Sequence, residues 1–108
     1  MSKKDIVVKQ FVFPSFDTWQ KSLEWSSSIG VFNIRIARVS WSTGGRAEST
    51  YQIGISVGSN PLNMYTSKIW SDGLTCLYTD TEKLRRWYER VTVEANKAFA
   101  RHVLSYMV

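Results

Sequence analysis

TDTEKLRRWYERVTVEANKAFARHVLSYMV, residues 79–108, is the longest helix signal in the chain and decides how the rest is read. Leu84, Trp87, Tyr88, Val91, Ala95, Ala98, Phe99, His102 and Tyr106 recur at intervals of three and four, which sets them on one helical face. Thr79-Asp80-Thr81-Glu82 reads as a capping box, with the Thr79 hydroxyl and Glu82 carboxylate satisfying free N–H groups of the first turn. Glu82 with Arg86 and Arg90 with Glu94 are opposite charges four residues apart, a spacing that supports the helix. At 1.5 Å per residue a helix of about 25 residues is roughly 40 Å long, more than the core of so small a domain needs. Val93, Ala100, Leu104 and Met107 fall on the side opposite the main stripe. A helix apolar on two sides near its end is either wrapped by its own fold or docked on another chain. A two-fold homodimer through those four residues is the expectation, with a different partner at the same strip as the alternative.

Upstream of this helix the pattern is mostly that of strands. Asp5 to Phe13 is β-favouring and is stopped by Pro14, which removes a donor. Ser15 or Asp17 caps a short helix to about Ser28 that turns Phe16, Trp19 and Leu23 inward. Gly30 is the left-handed residue expected after it, and Ser26-Ser27-Ser28 its fraying last turn. In Val31 to Trp41, Phe32, Ile34 and Ile36 share one face and Asn33 and Arg35 the other. Parity then switches, predicting a bulge near Ala37 or Arg38 that keeps Val39 and Trp41 on the Arg35 side. Gly44-Gly45 marks a hairpin loop with Arg46 at its tip. Tyr51, Ile53, Ile55 and Val57 alternate with Gln52, Gly54, Ser56 and Gly58, so one face is apolar and the other polar and small. Ser59-Asn60-Pro61 is a turn, Leu62 to Trp70 a weaker strand, Ser71-Asp72-Gly73 a second turn, and Leu74 to Tyr78 a short last strand.

The fold class that follows is α+β over a single domain, residues 1–108. An antiparallel sheet of four or five strands packs against a short N-terminal helix and a long C-terminal one (β-α-β-β-β(-β)-α). At 44% hydrophobic and 21% charged, the 108 residues are too apolar for a disordered chain. The lone Cys76 excludes an intramolecular disulfide and fits a reducing, cytoplasmic setting. No apolar run approaches the roughly 20 residues of a membrane span, and none follows Met1-Ser2-Lys3-Lys4 as in a secretory leader. The formal charge of +5 permits an acidic partner without requiring one.

Signals for catalysis are poor. His102 sits in the apolar stripe, where a satisfied packing role is expected, and Cys76 lies in the strand pattern Leu74-Thr75-Cys76-Leu77 with no adjacent cation to activate it. One Cys and one His cannot complete a structural zinc site, so no metal, cofactor or catalytic residue is expected. Gly44-Gly45-Arg46 lacks the strand-to-helix context and the Lys-Ser/Thr ending of a phosphate loop. Signals for binding are better. Arg35, Trp41 and Arg46 are expected to converge on the open sheet face, with Arg38 near the bulge, since Arg beside aromatics grips phosphate and stacks bases. Arg86 and Arg90 add cations from the long helix, diluted there by Glu82, Glu89 and Glu94.

After its first strand, the order helix, three strands, helix resembles the double-stranded-RNA-binding domains. That family opens its last helix with small and basic residues that grip phosphates across the groove. Here Asp80-Thr81-Glu82-Lys83-Leu84-Arg85-Arg86 opens acidic, so the resemblance is one of topology and assigns no residue a role. The expected function is that of a small non-enzymatic binding protein that occupies the surface of a macromolecule, a protein or nucleoprotein. Inhibitors, immunity proteins, adaptors and the counter-defence proteins of viruses act in this way. A nucleic-acid binder using the Arg/Trp sheet face is the first alternative. A small-ligand protein or enzyme with a site shared between subunits is the second.

Overall fold

In the computed structural model the described residues are 9–42, 47–58 and 67–105. They form α1 (Phe16–Ser22), β1 (Glu24–Ile29), β2 (Phe32–Trp41), β3 (Glu48–Val57), β4 (Ser67–Leu77) and α2 (Thr81–Ser105). The four strands make one antiparallel sheet in the order β1-β2-β3-β4, and the class is α+β. Among the described residues no helix is long and apolar enough to cross a membrane.

Three elements differ from the sequence reading. Residues 9–15 carry no strand pairing; they run as a strap held by side chains of α2. Asn96 accepts from the Phe11 N–H at 2.8 Å and returns a bond to the Phe11 carbonyl at 3.0 Å, imitating a strand neighbour. The Tyr88 hydroxyl donates to the Pro14 carbonyl, and burial, which pushes that phenol up to about 12, keeps it a donor. The first helix stops at Ser22, where Leu23 takes the left-handed conformation and its N–H bonds the Trp19 carbonyl at 2.8 Å. Ser26-Ser27-Ser28 is therefore not a fraying turn but the middle of β1, with Trp25 and Ile29 packed against the core. Gly30, at φ 59°, serves the two-residue β1–β2 hairpin, the glycine-first pattern suited to strand twist. Finally, Ser71-Asp72-Gly73 is not a turn, because β4 runs unbroken through it. The stretch 59–66, the expected hairpin loop at 43–46 and residues 5–8 of the expected first strand lie outside the described residues.

The core forms where the sheet meets the helices. Ile34 and Ile36 from β2, Tyr51, Ile53 and Ile55 from β3, and Leu84, Trp87, Val91, Ala95 and Phe99 from α2 are all buried. Trp19 of α1 is 1% exposed, stacks on Tyr88 at 4.9 Å and donates its indole N–H to the Ile36 carbonyl at 3.1 Å. Burial of such side chains, at about 25 cal/mol per Å², is the main favourable term. Arg85 ties the two helices, reaching Asp17 at 3.5 Å and lying 4.8 Å over the Phe16 ring. At the start of α2 the Lys83 N–H is capped by Asp80 at 3.2 Å, so the cap is Asp80 rather than Thr79.

Candidate functional site

Because both helices pack on one side of the sheet, the opposite side is left without helical cover among the described residues. Register decides what it shows. Directly opposed residues share a face, so Ser26 beside Arg35, Arg35 beside Gly54, and Gly54 beside Ser71 form one row across all four strands. The row above it is Ala37, Gln52 and Gly73; the row below holds Ser28, Asn33 and Ser56. Small side chains in the centre leave two clefts of about 450 Å³ each. The clefts share Arg35, Gly54 and Ser56, so they are two arms of one trough. The sequence reading anticipated this polar, small-residue face from the β3 alternation. It missed the β1 serines, because Trp25 and Ile29 stand four residues apart, a spacing that fits one face of a helix as well as one face of a strand.

Two glycines face the trough and differ in what holds them there. A Cβ on Gly73 would stand 3.4 Å from the Tyr51 carbonyl, so that position is already close-packed. A Cβ on Gly54 would meet nothing nearer than 3.8 Å, and its φ lies in the range open to any residue. The fold makes no demand for glycine at Gly54. A glycine inside a strand loses about 0.5–1 kcal/mol relative to alanine and marks either a bulge, here the β3–β4 register shift between Ile55 and Ser56, or close approach by another backbone or a ligand.

The cations expected to cooperate are dispersed. Arg35 stands in the trough and places two donors on one Glu24 oxygen, at 3.1 and 3.3 Å. Lys68 lines the same cleft from β4. The bulge falls between Arg38 and Ser40, making Val39 the extra residue, and Val39 faces the trough with Arg35. Beyond the bulge Trp41 opposes Ser49, which lies in register with the core-facing Tyr51 and Ile53. Arg38 opposes Tyr51 itself and lies 5.6 Å over the exposed Trp41 ring. Arg38 and Trp41 are thus brought together with each other but not with Arg35. Arg46 lies outside the described residues. On α2, Arg86 bonds Glu82 at 3.3 Å, and Arg90 bonds Glu94 at 2.9 Å and Asp72 at 3.4 Å.

Asp72 was missed by sequence reasoning because its segment looked like a turn. It points from the edge strand β4 toward α2, where the Trp87 indole N–H donates to it at 2.9 Å. Burial alone would raise its pKa, but the Trp87, Arg90 and Gly73 donors outweigh that and hold it below the ordinary carboxylate range. An inward-turned charge on an edge strand also discourages pairing with another sheet. Cys76 is buried, and burial raises its thiol pKa. His102 is half-buried, its ring 5.7 Å from Phe32. Among the described residues no three His, Cys, Asp or Glu stand together as a metal site.

Of the residues expected to mediate self-association, Val93 is 54% exposed and Ala100 and Leu104 are half-buried; Met107 lies outside the described residues. No protein-family model matches the sequence, and neither a curated protein nor a solved structure matches the chain.

Proposed function

We propose that this is a non-catalytic binding protein whose uncovered sheet face docks on the surface of another protein. The observation that carries the reading is Gly54, a strand glycine required by neither backbone conformation nor packing, at the meeting point of two clefts. A bare backbone there admits a projecting partner side chain to the sheet itself. Around it Ser26, Ser56 and Ser71 offer short hydrogen-bonding groups with little rotamer entropy to lose, and Gln52 adds a longer, more mobile amide. Glu24 holds the Arg35 fork in place, ready for a partner carbonyl or carboxylate. Such a protein acts by occupancy, as inhibitors, immunity proteins and adaptors do.

The exposed Arg38–Trp41 pair favours a second reading, in which a base stacks at that end of β2. Weighing against it, Arg86 and Arg90 are already paired to carboxylates, which leaves fewer cations for phosphates. Affinity capture from lysate on immobilised wild-type and Gly54→Trp protein, with and without nuclease, separates the two. The tryptophan extends into the trough from a position where its Cβ has room, and circular dichroism checks that the variant is folded. Retention that survives nuclease and is lost with Gly54→Trp is the expected result. Retention abolished by nuclease, or unchanged by the tryptophan, overturns the docking reading.

A further inference from the structure

The outer side of α2 lies across the molecule from the trough, and its charges are arranged about one apolar residue. Val93, 54% exposed, is preceded one turn earlier by Glu89 and followed one turn later by Lys97. Both are exposed, and neither side-chain charge has a partner among the described residues. This contrasts with Glu82, Arg85, Arg86, Arg90 and Glu94 on the same helix, all of which are ion-paired. The order acidic, apolar, basic at four-residue steps is complementary to itself when read backwards. Two such helices laid antiparallel, with a two-fold axis at Val93, bring each Glu89 opposite the other copy's Lys97.

We propose that a second copy of this chain docks here, in an antiparallel α2–α2 contact centred on Val93 with two symmetric Glu89–Lys97 pairs. A mixed groove continues from the centre, where Val93 and Ala100, with Thr92, Asn96 and Lys97, face Gln10, Phe13 and Pro14 of the strap, and neighbouring Val12 is 86% exposed. A parallel pair would oppose Glu89 to Glu89 and Lys97 to Lys97, so charge selects the antiparallel orientation. From Glu89 to Lys97 the helix rises roughly 12 Å, so this contact alone falls short of the about 800 Å² per subunit of a standard interface. The strap broadens it on one side, and the dimer is expected to dissociate in the micromolar range.

The test is sedimentation velocity over a concentration series for wild type, Glu89→Lys, Lys97→Glu and the double exchange Glu89→Lys/Lys97→Glu. Each single change turns both symmetric pairs repulsive and is expected to weaken dimerisation about tenfold. The double exchange restores opposite charges and should recover the wild-type constant. Exposure of both side chains makes misfolding of the variants unexpected, and circular dichroism checks it. A wild type still monomeric at about 500 μM, far above the micromolar constant expected, overturns the proposal. Equal dimerisation of all four proteins, or no recovery in the double exchange, does so too.

Discussion

Gly54 and Asp72 differ in what the fold asks of them. Every side chain opposed to Gly54 is accommodated without needing it to be glycine. Asp72 is the reverse case, a charge whose partners belong to the fold. Its pKa is lowered in the folded state, so its stabilising contribution is present above the unfolded carboxylate value and is lost as pH falls through the lower folded value. Asp72→Asn is expected to cost about 1 kcal/mol near neutral pH, a figure trimmed for the half-exposed Arg90. Urea titrations from neutral pH down into the acid range should show the gap between variant and wild type closing below the ordinary carboxylate range. A gap that is constant with pH would mean that the carboxylate's charge contributes nothing.

At the scale of elements, the long helix and the β3 strand were legible because their apolar periods are unbroken. Leu84 to Phe99 and Tyr51 to Ile55 point where their spacing says they must. Features set by distant partners were not legible in the same way. The segment 9–15 has strand-like residues, yet its hydrogen bonds go to Asn96 and Tyr88, 85 and 74 positions away. Leu23 ends α1 in a left-handed conformation that local propensity disfavours, and its side chain packs against the core. Ser71-Asp72-Gly73 has turn composition, but Gly54, Ile53 and Gln52 of β3 pair with it throughout. The open face was foreseen from β3 alone, whereas the grouping of Arg35 with Trp41 failed because the bulge at Val39 falls between them. The cap of α2 offers a check on this scale. Asp80→Ala should lower stability by about 1 kcal/mol in urea denaturation, while Thr79→Ala stays within a few tenths. The reverse order would restore Thr79 as the cap.

At the scale of the whole molecule, the described residues divide into a side of the sheet covered by helices and a side left open. The strap, α1 and α2 consolidate one side of the sheet, and the trough opens on the other. A dimer through the outer side of α2 would turn two troughs away from each other, so the assembly would grip a repeated or symmetric partner at two points. Linkage between the faces has a simple sign. If both copies engage one partner molecule, Lys97→Glu should weaken retention of that partner without touching the trough. The claim on which all of this rests is that Gly54 exists for the partner and not for the fold. Gly54→Ala tests it most directly, by unfolding free energy and partner retention measured on the same protein. The account predicts a fold more stable by about 0.5–1 kcal/mol and retention weakened about tenfold by the intruding methyl. A less stable fold, or a more stable one with retention unchanged, would contradict it.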